Sequence, residues 1–240
     1  MAGGAGSGRA GVIATLLDLV LPGGCAGCGV AARTEICDGC AGVLAEAPQP
    51  RRPRPAPPGL PVCVAGGEYD GSLRELILGY KERGRRGLSR RLGDRLATVI
   101  RAGWPGPGPV ALVPVPATAA AIRARHFDHM MLLARRATRC LIATGVDAVV
   151  TSPLRALPHA DSAHLDREQR AAAAYHAFAV RWRSPARLAT LAAVADCGAV
   201  VLVDDVLTTG ATLAATAGLL LRAGVPVTFA ATLAATRRHG

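Results

Sequence analysis

The run Val200–Thr212, VVLVDDVLTTGAT, gathers two carboxylates and three hydroxyls around one turn. Its apolar start predicts a buried strand with Asp204 and Asp205 at the carboxyl end, and Thr208, Thr209, Gly210, Ala211 and Thr212 then open a helix. In open α/β sheets, ligands bind just beyond the carboxyl ends of the strands. Backbone N–H groups of such a turn and the positive end of the helix hold phosphate, the threonine hydroxyls add donors, and Gly210 allows close backbone approach. Adjacent residues of an extended strand face opposite ways, so Asp204 and Asp205 are expected not to compete for one proton as a catalytic dyad does. Their expected task is to accept hydrogen bonds from sugar hydroxyls. A buried strand ending in an ordinary helix cap would bring these five polar residues together only by chance.

A second constellation is Cys25-Ala-Gly-Cys28-Gly, with eight residues between Cys28 and the following Cys37-Asp-Gly-Cys40. Two CxxC knuckles present four sulfurs to one tetrahedral ion, and Gly29 relieves the backbone after the first knuckle. Zn²⁺ in a structural role is the expected occupant, with iron as the alternative metal and a disulfide pair as the competing chemistry. Cys63, Cys140 and Cys197 lie among apolar residues and are expected in the core.

The Val200–Thr212 run resembles the phosphoribosyl pyrophosphate signature of type I phosphoribosyltransferases. That resemblance implies that Thr208–Thr212 cradle the 5-phosphate, that Asp204 and Asp205 bind the ribose 2- and 3-hydroxyls, and that Mg²⁺ arrives with the pyrophosphate. LVPVPAT at 112–118 leading into IRARHFDHMMLLARR, together with YKERGRRGL at 80–88, resembles the ComF family, competence-associated proteins that join such a domain to an N-terminal zinc-ribbon-like cysteine module. The resemblance covers nearly the whole chain from Leu16 onward. It implies that Pro116, Ala117 and Thr118 lie in the pyrophosphate-binding loop, with Arg123 and Arg125 at or near it. It also implies that Lys81 stands near the active site, where its ammonium reaches phosphate as a point charge; a solvated surface lysine is the alternative. Residues 154–178 resemble the loop that closes over the reaction in such transferases, with Arg155, Arg167 and Arg170 turned to pyrophosphate. The chain departs from the pattern at His126, His164 and His176, where glycines are usual, and at Ala173, where asparagine is. The six histidines show no ligand spacing and are expected in ordinary surface roles.

These groups need elements to hold them. At 240 residues and 50% hydrophobic, the chain can bury one sizeable core with a small appendage. Aromatics are only 3%, so Ala, Val and Leu must fill that core, which suits helices on a buried parallel sheet and disfavours a β-sandwich. Strands are expected near 62–65, 111–115, 148–152, 199–206 and 227–235. Two helices are expected within 71–100, one helix over 119–144, and one over 212–223. The fold class is therefore α/β, with a parallel sheet covered by helices on both faces; the type I phosphoribosyltransferase fold is what the resemblance adds. The expected division is 1–47 for an N-terminal helix (Val12–Leu21) and cysteine module, 48–61 for a proline-rich semi-rigid linker, and 62–240 for the main domain.

No apolar run approaches the ~20 residues needed to span a bilayer. A cytoplasmic protein without membrane insertion is expected. The net charge of +11 implies polyanionic partners, although Arg supplies 27 of the 28 basic residues, which compositional bias also produces. Two functions stand at this point. One is an enzyme binding phosphoribosyl pyrophosphate and transferring its phosphoribosyl group to an acceptor. The other is a non-catalytic accessory module for single-stranded DNA or DNA-uptake proteins, weakened by the scarcity of aromatic side chains for base stacking.

Overall fold

The computed structural model describes residues 24–158, 176–181 and 184–237. The expected helix at Val12–Leu21, and the residues His164, Arg167, Arg170 and Ala173, lie outside them. In chain order the elements are α1 (Asp38–Val43), β1 (Gln49–Arg51), β2 (Cys63–Ala65), α2 (Gly71–Lys81), a 3₁₀ turn (Arg86–Leu88), α3 (Ser89–Gly103), β3 (Val110–Pro114), α4 (Ala119–Arg125) and α5 (His129–Ala143). They continue with β4 (Ala148–Val150), β5 (Leu154–Ala156), β6 (Phe178–Val180), α6 (Pro185–Cys197), β7 (Ala199–Leu207), α7 (Ala211–Arg222) and β8 (Phe229–Ala235).

Unbroken apolar runs such as Val200–Val203 arise because consecutive strand residues enter opposite cores. Val201 and Val203 join the buried cluster of α2, α3 and α5, whereas Val200 and Leu202 join that of α6 and α7. The central sheet has the order β1-β2-β8-β7-β3-β4 and is parallel throughout except for β1, which runs antiparallel to β2 at one edge. β5 and β6 form a separate antiparallel pair. This is an α/β architecture with a mostly parallel sheet covered on both faces. Among the described residues no helix is long and apolar enough to cross a membrane.

The structure departs from expectation in four places. Residues 119–144 form two helices instead of one: His126 adopts a left-handed conformation (φ 61°), and the Asp128 side chain accepts the Met131 N–H at 3.0 Å to start the second. A left-handed position favours glycine, the residue usual in the resembled pattern. Second, residues 48–61 are built into the main domain. Gln49–Arg51 is the edge strand, where Pro50 is tolerated because an outer edge requires no N–H donor, and Pro53 and Leu60 are buried. Third, Cys25, Ala26, Ile36 and Cys40 belong to the same buried cluster as α2 and α3, so the cysteine module shares a core with the sheet. Finally, Cys63 is buried as expected, but Cys140 is half-buried and Cys197 is exposed at the end of α6.

Candidate functional site

β7 outlasts its neighbour β3, whose last paired residue, Pro114, stands opposite Val203. The Val115 N–H still reaches the Val203 carbonyl at 3.0 Å, so Pro116–Thr118 leave the end of β3 on the strand next to β7. Thr118 caps α4 by accepting the Ala121 N–H at 3.1 Å. Beyond Leu207 the chain turns through Thr208 and Thr209 into Gly210, which has φ 79° and caps α7 without a side chain. Thr209 Oγ1 accepts the Ala211 N–H at 3.2 Å, and Thr212 lies in the first turn of α7. With the Ala211 N–H taken by Thr209, the Thr212 and Leu213 N–H groups are the ones the helix start offers at the sheet's carboxyl end. Leu60 and Pro53 close the turn from behind: a β-carbon on Gly210 would stand 2.9 Å from Leu60 Cδ1 and 3.3 Å from Pro53 Cγ.

Asp205 faces the α2/α5 side. Lys81 Nζ, from the last turn of α2, lies 2.7 Å from Asp205 Oδ2, and His129 Nε2, from the first turn of α5, lies 3.5 Å from the same oxygen. Asp204 Oδ1 accepts the backbone N–H of Asp205 at 2.9 Å. The two carboxylates are not independent, contrary to expectation. Burial, and then the charge of Asp205, push Asp204 up to about 8. Burial would raise Asp205 as well, but the His129 contact and the Lys81 ammonium outweigh it and hold Asp205 well below the usual carboxylate range. Lys81 in turn stays above the ordinary lysine value, because Asp205 and Asp204 overcome its own desolvation. The pair thus divides: Asp204 holds a proton far more readily than an ordinary carboxyl, and Asp205 stays ionised and cation-paired.

Lys81 is therefore not a solvated surface lysine, and the arginines after it are largely committed. Arg83 pairs with Glu75 at 2.9 Å, Arg85 donates to the Gly24 carbonyl at 3.2 Å, and Arg86 donates to the His126 carbonyl at 3.0 Å while stacking 4.7 Å over Phe127. Arg125 pairs with Glu82 at 3.0 Å. Lys81, Arg83, Arg125, His126 and Phe127 line a cavity of about 400 Å³, which Lys81 connects to the acidic pair through its contact with Asp205. Arg123 is exposed on α4, and Arg155 is exposed on β5; no described contact brings Arg155 to the pair. His129, expected at the surface with the other histidines, is instead 5% exposed and belongs to the site.

The four sulfurs of Cys25, Cys28, Cys37 and Cys40 lie within 4.8 Å of one another, with Cys28 and Cys37 at 3.6 Å. A four-thiolate tetrahedron with metal–sulfur bonds of ~2.3 Å has sulfur–sulfur edges of about 3.8 Å, so the cluster has the dimensions of a metal site. The Gly27 and Cys37 backbone N–H groups point at Cys25 Sγ, at 3.4 and 3.3 Å. Burial raises Cys25, but the Cys37, Cys28 and Gly27 amides outweigh it and bring the thiol down to about 6. Burial pushes Cys40 up to about 12. Thiolates are the form that binds a metal ion, so occupation of this site would go with loss of the thiol protons. Among the described residues no other group of three or more Cys, His, Asp or Glu side chains is placed to hold a metal. Compared with known proteins, the chain matches no family model and no curated protein.

Proposed function

We propose that the chain is a ComF-like protein of the type I phosphoribosyltransferase fold that binds phosphoribosyl pyrophosphate at the end of β7 and transfers its phosphoribosyl group. The observation that carries this reading is the joint placement of the acidic pair, the Thr208–Thr212 turn at a helix N-terminus, and the Pro116–Thr118 loop on the adjacent strand. The first-turn N–H groups and threonine hydroxyls donate hydrogen bonds to the 5-phosphate. Asp205, ionised, accepts one ribose hydroxyl; Asp204, protonated, offers both a donor and an acceptor to the diol. The Pro116–Thr118 loop meets the pyrophosphate, and Lys81 supplies a positive charge to it.

In the transfer, the C1–oxygen bond to pyrophosphate breaks with its electron pair leaving on the pyrophosphate. The acceptor nucleophile forms a bond to C1 and gives up its proton. The protein contributes positioning and charge complementarity and no covalent intermediate. Mg²⁺ carried in on the pyrophosphate would neutralise the leaving group; a hard cation held by phosphate oxygens and water needs no protein cage. The cysteine cluster is read as a structural zinc site, because four thiolates leave no open position for substrate.

The test is the unfolding midpoint with and without Mg²⁺ and phosphoribosyl pyrophosphate. A ligand at 100 times its dissociation constant stabilises by about 2.7 kcal/mol, a rise of about 5–10 °C for a chain of this size. The double variant Asp204→Asn, Asp205→Asn should lose most of that rise. No Mg²⁺-dependent rise in wild type at millimolar ligand would refute the reading.

A further inference from the structure

We infer that His129 is a positioning residue for Asp205, the second of two interchangeable partners that keep this carboxylate ionised and aimed at the ligand when Lys81 leaves it for a phosphate. The inference rests on the phosphoribosyl reading above.

Both partners reach the same oxygen, Lys81 at 2.7 Å and His129 at 3.5 Å. They differ in freedom. The Lys81 side chain is 28% exposed, sits on a flexible stem and lines the cavity of about 400 Å³, so it can turn from Asp205 to an anion there. The His129 side chain is 7% exposed and opens α5 just after its capping residue, so it stays. One hydrogen bond sets both: Tyr80, the residue before Lys81, donates its hydroxyl to the His129 carbonyl at 2.7 Å.

His129 Nδ1 is buried and has no hydrogen-bond partner. An orphaned buried nitrogen carries a desolvation cost that an apolar side chain at this position would avoid. The imidazole is explained by what its other nitrogen does. Asp205 has a 10% exposed side chain. Once Lys81 has moved, a carboxylate this buried would take up a proton unless a second donor held it. The 3.5 Å separation is long for a hydrogen bond and is expected to shorten when the ammonium departs. The other charged groups around the pair are Asp204 on the same strand and Arg125 on α4, with Asp128, Arg136 and Arg86 acting on the neighbouring Tyr80.

A double-mutant cycle tests this in the full chain. Lys81→Met and His129→Leu each leave Asp205 one partner, and the double variant leaves none. In ligand-free protein the double variant should therefore melt about 2–4 °C lower than the sum of the single shifts predicts. Additive shifts would overturn the inference. In calorimetry with phosphoribosyl pyrophosphate and Mg²⁺, His129→Leu should weaken binding about tenfold. His129→Gln, which keeps an N–H donor, should bind within about twofold of wild type. Equal binding by the Leu variant, or equal weakening by the Gln and Leu variants, would reduce His129 to packing. If wild type shows no binding at all, the phosphoribosyl reading fails, while the melting cycle still decides whether His129 and Lys81 share Asp205.

Discussion

Gly210 and Gly224 adopt the same left-handed conformation, with φ 79° and 80°, in different surroundings. Nothing lies within 4 Å of a β-carbon built on Gly224, whereas on Gly210 it would stand 2.9 and 3.0 Å from the two methyl carbons of Leu60. Alanine at Gly224 therefore meets backbone strain alone, about 1–2 kcal/mol. Alanine at Gly210 meets the same strain and must also displace Leu60, a side chain that is 9% exposed with Pro53 behind it. Overpacking of that kind costs a further ~1–3 kcal/mol. At 2–4 °C per kcal/mol, Gly224→Ala should lower the unfolding midpoint by about 4 °C and Gly210→Ala by about 10 °C. Differential scanning calorimetry on both variants measures the difference directly. Adding Leu60→Ala to Gly210→Ala removes the contact part of that difference beyond the cost of the Leu60 truncation itself. If the two glycine variants melt together, Leu60 does not press on the turn, and the account of residues 53–60 as its backing fails.

Asp204, held up to about 8, binds in the folded state a proton that the unfolded chain gives up near its ordinary value, so it favours folding less and less as pH rises from about 4 to about 8. Asp204→Asn abolishes this loss: its midpoint should match wild type near pH 4 and exceed it by a margin that widens as pH rises to about 8. A pH-independent difference would refute the coupling. Purified protein should carry about one metal ion per chain by elemental analysis. Cys25→Ser or Cys40→Ser should release it and lower the midpoint by about 10 °C or more, because metal binding here is folding free energy. Metal-free protein melting with wild type would refute the site.

The strands and the turn were legible because their signals are local. Val200–Thr212 carries its own period change and turn glycine, and the two CxxC knuckles carry their own spacing. What escaped was set at longer range or masked by composition. α6, LATLAAVA between Pro185 and Cys197, is so rich in alanine and leucine that no face stands out from another, although Ser184 and Pro185 mark its start. The break at His126 was hidden because a non-glycine residue fills a left-handed position, while Asp128 offered an unused start signal. Gln49–Arg51 read as linker because three prolines surround it, and only an edge position makes it a strand. His129 gave no spacing signal at all. Its meaning comes from α5 and β7 meeting Lys81 across 124 residues of chain, from Lys81 to Asp205.

The shared core of the cysteine module has a consequence for synthesis. Cys25 and Cys40 are buried against α2 and the Arg85–Leu88 segment, which lie up to 48 residues further on, from Cys40 to Leu88. At about 5–20 residues per second the ribosome takes roughly 2–10 s to supply that surface. During this interval the nascent thiols stand open to whichever arrives first, an ion or an oxidant. The yield of correctly folded chain should therefore follow the supply of free metal at the ribosome.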